Sequence, residues 1–474
     1  MNCLRSWGRI PSVGDRYSRC IGHPVRFHAM RSNAALQRKD DSMSQKNYLF
    51  SGDFISAQPE PGELSVHENS YAWVRDGILI DITSEKPDTG EDVVEVDCRG
   101  KLIIPAFTDI HLHAVQYVTT GLGYDRELLS WLTEYTFPEE ARFAEPAYAE
   151  RVFRDLVRDL WSVGSLHSSV FCSMNADAAI QLTEALAAAG LSAFVGKVNM
   201  DRHGGVNLEE TTEGSMADTI RFLERMIPFE NRGIRPIVTP RFAPSCSKEL
   251  MRWLGEQVSE KDLPVQSHVN ENKEEIEWVR QLFPESGNYL SVYRDYGLLP
   301  KQKTVMAHCV YNTEEEVSMM KELDVLAAHC PASNANIASG IMPASQLIDK
   351  GIRIGLGSDI GGGNRLFLGF HMALAMKESR LLWVQTDRAS RVISFAEAFW
   401  MGTAAGGSFF GKTGAFLPGY SFDALVIDDS HLSRYRPLNV CERLQRFIFA
   451  GDDRQIEARY LRGERLPDPR AVVK

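Results

Sequence analysis

Between residues 102 and 360, short apolar runs alternate with stretches whose apolar residues recur every three to four positions. This alternation constrains the fold of the 474-residue chain more than any other feature. Strands are predicted at Leu102 to Leu112, Ser165 to Phe171, Ala193 to Met200, Pro236 to Phe242, Pro264 to Val269, Thr304 to His308, Val325 to His329 and Ile352 to Asp359. Between them, Glu145 to Val163, Asp177 to Ala189 and Ser215 to Ile227 carry the spacing of amphipathic helices. Strands alternating with helices in this number predict an α/β chain closed into a (β/α)8 barrel of the TIM type. The C-terminal strand ends of such a barrel meet at one face, so residues far apart in sequence share one site.

Several of these runs end in side chains that bind metals or protons. In Asp109-Ile110-His111-Leu112-His113, strand alternation turns His111 and His113 to the same side, where two neutral imidazoles suit a divalent transition metal. A lone His-x-His is a weak signal. Further runs add His268 with Glu271 three residues on, His308, and Asp359. The competing readings are core histidines bonded to the backbone, and a Glu271 that is a solvated carboxylate at a helix start. Arg241 ends the fourth run in Thr-Pro-Arg-Phe, and its donor-only guanidinium suits a carbonyl acceptor; the alternative is an ion pair with a neighbouring carboxylate. His167 reads as a structural histidine, and Lys197 as a partner of Asp201 or Asp109.

The strings DIHLHAVQY (109–117), WLTEYTFP (131–138), AFVGKVNMD (193–201), PIVTPRF (236–242), QSHVNEN (266–272), VMAHC (305–309), HCPASN (329–334) and GLGSDIGG (355–362) together resemble the amidohydrolase superfamily, and within it the guanine deaminases, from about residue 46 to 464. The departures, such as Ile110 and Gly361, touch no metal-ligand position. The resemblance implies that His111, His113, His268 and Asp359 hold one Zn²⁺ or iron ion per chain. It implies catalytic roles for Glu271, His308 and Asp359. Substrate contacts are implied for His113, Ala114, Val115, Gln116, Arg241, Phe242, His268, Glu271, His308 and Asp359, with Phe242 or Trp131 against the ring face. The implied reaction is hydrolysis of guanine to xanthine and ammonia, in a homodimer. Binuclear relatives carry a bridging lysine on the fourth strand. Pro236 to Phe242 offers none, and Lys197 lies one strand away, so a single metal is expected. His329 is expected to support the ligands rather than to be one. Two alternatives remain: an amidohydrolase for another purine, a pyrimidine or a triazine, and a non-catalytic scaffold.

The remaining sequence fits a cytoplasmic enzyme. A net charge of −11 and a pI near 5.6 argue against nucleic-acid binding. The eight cysteines are scattered without a C-x-x-C pair, as in a reducing compartment, and no run is long and apolar enough to span a bilayer. Strand-like runs at Tyr48 to Phe54, Ser70 to Asp81, Asp92 to Asp97, Ser421 to Asp428 and Glu457 to Leu466 predict a small domain from 46–102 and 413–474, which the resemblance makes a β-sandwich beside a barrel at 103–412. Residues 1–42 hold eight Lys or Arg against three acids and no apolar h-region or periodicity; an organelle transit peptide and sequence upstream of a start at Met43 are open readings, and a disordered, non-catalytic extension is the favoured expectation.

Overall fold

The computed structural model describes residues 46–469 apart from 91, 206, 207, 433 and 434, so the expectation for residues 1–42 lies outside the described residues. In chain order the strands are β1 (Asn47–Ala57), β2 (Leu64–Arg75), β3 (Ile78–Thr83), β4 (Val94–Pro105), β5 (Phe107–His113), β6 (Ser165–Phe171), β7 (Ser192–Gly196), β8 (Val198–Asn199), β9 (Ile234–Pro236), β10 (Thr239–Pro240), β11 (Val265–Val269), β12 (Thr304–His308), β13 (Leu326–His329), β14 (Ile354–Leu356), β15 (Ala424–Ile427), β16 (Ile456–Leu461) and β17 (Glu464–Arg465). Two four-stranded parallel sheets, β5-β6-β7-β9 and β11-β12-β13-β14, form the centre. At one seam a parallel bridge joins Val238 to Val265; at the other, Asp359 N donates to His111 O at 2.9 Å.

The helices between these strands have legible ends. Pro146–Val163 starts on proline at a position that needs no N–H and stops at Gly164, whose φ of 78° few other residues adopt. Ala176–Ala189 is capped by the Asn175 side chain, which accepts from Asp177 N and Ala178 N.

The terminal runs form one seven-stranded sheet in the order β17-β16-β15-β4-β1-β2-β3, around its own apolar cluster of Phe50, Phe54, Phe416, Phe422 and Tyr460. Several expected strands divide. Leu102 to Leu112 is two strands, because residues up to Pro105 pair with β15 whereas Phe107 onward pairs with β6; the chain changes sheets at Ala106. Ser70 to Asp81 contains a hairpin turn at Asp76-Gly77, with φ of 51° and 82°. Pro236 to Phe242 breaks into β9 and β10 because Pro236 and Pro240 bring no N–H to a ladder. Ala193 to Met200 breaks at Lys197. That lysine is buried against Glu210 and Ser215, not Asp201 or Asp109. No helix among the described residues is long and apolar enough to cross a membrane.

His167, on β6, has the structural role expected of it. Its Nε2 lies 3.1 Å from Asp423 Oδ2, and Asp423 Oδ1 accepts from Ser421 Oγ and Arg462 N, each at 2.8 Å. Burial works to raise the Asp423 carboxyl, but the hydrogen bonds outweigh it and hold it below the ordinary range. The ionised form therefore stabilises the fold above the unfolded value near ~3.9, and that contribution is lost as pH falls through the lower folded value. Asp423→Asn is expected to destabilise the protein by about 3 kcal/mol at pH 7. Thermal unfolding of both proteins down to pH 3 checks this: the gap should narrow at the acid end.

Candidate active site

The strand ends gather the expected residues. His113 closes β5 with His111 two positions earlier, His268 lies in β11 opposite Ala307 of β12, His308 closes β12, and Asp359 follows β14. His308 and Asp359 have φ of 72° and 46°, a region non-glycine residues rarely enter, so the chain turns sharply as it presents each side chain. Asp109 Oδ1 accepts from His111 N at 3.3 Å and from Ser358 N at 2.9 Å, tying the Asp359 segment to β5.

The resulting cluster is buried. His111 Nε2 and His113 Nε2 lie 3.3 and 3.5 Å from Asp359 Oδ1, and the Nε2 atoms of His113 and His268 are 3.0 Å apart. His268 Nδ1 sits 2.6 Å from the Arg241 carbonyl, which only accepts, so this ring carries its proton on Nδ1 and aims a lone pair inward. Burial holds His113 and His268 well below their usual values, and therefore neutral. Both His111 ring nitrogens are buried without a hydrogen-bond partner. Inward lone pairs, an unpartnered imidazole and a carboxylate held well below its usual range by the surrounding histidines, against its own burial, are a donor set that fits a divalent cation. Cys330 is within reach, but burial pushes its thiol far up and keeps it protonated.

Above the cluster opens a narrow cleft, walled on one side by Leu128, Trp131, Leu132 and Ile337. On its polar side, His308 Nε2 lies 3.4 Å from Glu271 Oε2 and 3.9 Å from Asp359 Oδ2. Burial, reinforced by the charge of Asp359, pushes the Glu271 carboxyl up to about 8. Glu271 is therefore not a solvated helix-start carboxylate.

Phe242 lines the cleft, as do Gln116 and Arg241, and each of those two bonds a residue that the sequence reading omitted: Gln116 Nε2 donates to Glu140 Oε1 at 2.9 Å, and Arg241 Nη1 to Glu140 Oε2. The ion pair considered as an alternative for Arg241 thus exists, inside the cleft wall. Ala114 and Val115 do not line the cleft; their side chains are buried in the main core, leaving only their backbone near the site. Gly361 lies against Gln116: a Cβ there would meet Gln116 Cβ at 2.3 Å and Oε1 at 2.7 Å.

Other supporting residues were missed as well. Asn334 Oδ1 lies 2.9 Å from His308 Nδ1, and Ser339 Oγ donates to Glu271 Oε1 at 3.2 Å. Glu275 accepts from the backbone N–H groups of Glu271 and Asn272, and burial with the neighbouring Glu271 charge pushes its carboxyl up to about 7. The Asn272-x-x-Glu275 capping box was a readable signal; nothing marked Glu140. His329 ends β13, buried and outside the cleft lining.

Residues 102–466 match the amidohydrolase family. The chain belongs to that family. Guanine deaminase of Dictyostelium discoideum is 36% identical over 442 residues, spanning 88% of this chain and 98% of that one. Guanine deaminase of Escherichia coli is 33% identical over 416 residues, spanning 83% and 92%. The crystal structure of guanine deaminase from C. acetobutylicum with guanine bound in the active site superimposes with a TM-score of 0.86 at 40% identity, covering 89% of this chain and 100% of that one.

An amidohydrolase cluster of this kind should couple metal binding to stability. Stripping the protein with a chelator is expected to lower its melting temperature, and one divalent transition metal should restore it, because a ligand bound only to the folded state stabilises by mass action. In His111→Ala the restoring effect should vanish. A variant still rescued by the metal would show that His111 is not a ligand.

Proposed function

We propose that the protein catalyses the hydrolytic deamination of guanine, with water as co-substrate, giving xanthine and ammonia. The observation that carries this reading is the match, over its whole length, to a relative whose structure holds guanine in the active site. The two parallel sheets are read as one (β/α)8 barrel, supported by the two seam contacts, and the seven-stranded terminal sheet as a small β-sandwich beside it.

His111, His113, His268 and Asp359 would hold one Zn²⁺, with iron as the other candidate; a bound metal of this type lowers the pKa of water and polarises the bond under attack. The single ion is supported by a fourth run without lysine and by Lys197 being engaged with Glu210.

The chain's own residues move the protons. Because Asn334 Oδ1 receives His308 Nδ1–H, His308 Nε2 keeps its lone pair toward Asp359 and the attacking water, and these two groups take the water's proton as its oxygen bonds C2. Glu271, protonated at neutral pH, donates to a ring nitrogen. The proton taken from the water then passes through Glu271 to the amine, the C2–N bond breaks as ammonia leaves, and the C2 hydroxyl gives its proton to Glu271 as the C2 carbonyl forms, which restores the starting state. Ser339 holds the Glu271 carboxyl in place, and the apolar wall keeps bulk water from the developing charge. Arg241 reads the O6 carbonyl, and Phe242 or Trp131 packs on the ring.

Ammonia release from guanine, set against adenine, cytosine and a triazine, tests the reading; faster turnover of any of those three would reject it. In Glu271→Gln the shape persists but the proton shuttle is lost, so kcat should fall by about 10²–10⁴-fold with KM little changed. Metal analysis of the active protein should give close to one equivalent per chain.

A further inference from the structure

Glu140 lies on the four-residue helix Phe137–Glu140, outside every strand end, yet it is only 5% exposed and bonds both side chains read as touching the base. We infer that Glu140 is a positioning residue that fixes which hydrogen-bonding polarity the cleft presents to a purine.

The carboxylate of this ion pair can only accept. Gln116 must therefore turn its Nε2 toward Glu140, which leaves the carbonyl Oε1, an acceptor, as the free end of a side chain that lines the cleft. Gly361 packs directly against that side chain, where an added Cβ would lie only 2.7 Å from Oε1. Arg241 gives Nη1 to Glu140 and rests over the Phe137 ring at 5.0 Å, leaving the rest of its donor fork to face the cleft. One buried carboxylate thus sets an acceptor beside a set of donors.

The complementary ligand edge is a ring N–H beside a carbonyl, the lactam edge of a 6-oxopurine. A 6-aminopurine presents the reverse pattern, donor against donor and acceptor against acceptor. The same pairing cancels the Arg241 charge, so the cleft offers donors to a neutral base without the pull of a free cation on anionic ligands.

This inference rests on the reading of the protein as a guanine deaminase. The test keeps the reacting bond constant: guanine and 2,6-diaminopurine both carry an amine on C2 and differ along the C6–N1 edge, a carbonyl beside N1–H in the one and an amine beside a bare N1 in the other. Wild type is expected to favour guanine in kcat/KM by about 10⁴-fold, as for sites whose buried polar groups are left unpaired by the wrong ligand. Glu140→Gln can present either an oxygen or an amide nitrogen to Gln116, so the preference should narrow by at least about tenfold, mainly through KM for guanine. Glu140→Asp keeps an acceptor-only group and should retain most of the preference even where turnover falls. Equal losses for both bases in Glu140→Gln, or the same narrowing in both variants, would assign Glu140 a merely structural role and overturn the inference. Should Glu140→Gln fail to fold, Gln116→Met carries the test: an unchanged preference there overturns it too. A wild type inactive on guanine would instead sink the deaminase reading itself.

Discussion

The site depends on a single seam, where the last strand of the centre returns to the first. Asp109 Oδ1 takes the N–H groups of His111 and Ser358, and Asp359 N closes on the His111 carbonyl. Two of these three hydrogen bonds join positions nearly 250 residues apart and bring the carboxylate of Asp359 against the imidazoles of His111 and His113. Asp109 is fully buried and burial pushes its carboxyl up to about 7, while its Oδ2 has no partner, so only the two N–H donors offset the cost of placing it there. Without that seam the donor set would be two separate half-sites, one on each parallel sheet.

Burial then sorts the titratable groups. His113 and His268 are held neutral, Asp359 is kept ionised chiefly by His111, and Glu271, close to Asp359 but lacking a cation of its own, is forced toward its protonated form. Two carboxylates in one cleft are thereby pushed to opposite sides of neutrality, the arrangement that separates an acid from a base at pH 7. Glu275 adds to this from below. Its nearby carboxyl raises the cost of ionising either group, while its bonds to the Glu271 and Asn272 N–H groups, with Tyr289 on its other oxygen, fix the turn that carries Glu271.

What the sequence made legible was whatever local chemistry alone decides. β6 and β12 fall where alternation and composition put them, and His111, His113, His268, His308 and Asp359 converge because strand ends share a face. Partners that depend on tertiary approach were not legible. Glu210, which neutralises Lys197, sits in a loop that only the fold brings back, and Glu140 belongs to a helix too short to show a period. Ala114 and Val115 lie between two cleft residues, yet the single 3-10 helix Ala114–Thr119 packs their side chains into the core while Gln116 lines the cleft. The break at Ala106 was hidden, since an apolar run reads alike whether its halves pair with one sheet or with two.

The same segment that carries Asp359 also governs the cleft wall. The Tyr124 hydroxyl lies within hydrogen-bond reach of the Gly361 and Gly363 carbonyls, at 2.9 and 3.1 Å, and Trp131 Nε1 donates to the Leu122 carbonyl a few residues away. The apolar wall is thus anchored through Leu122 and Tyr124 to the loop that follows Asp359, and that loop in turn presses on Gln116 through Gly361. Gly361, with φ of 114° and no space for a Cβ, is the point where the backbone can come close enough to do both. Water exclusion, base reading and the ionised carboxylate are therefore mechanically linked: a shift of the loop large enough to open the wall would also release the Gln116 amide and move Asp359. A cleft that reads its ligand with buried polar groups needs that linkage, because any slack that admitted water would let the wrong edge find hydrogen bonds and erase the discrimination.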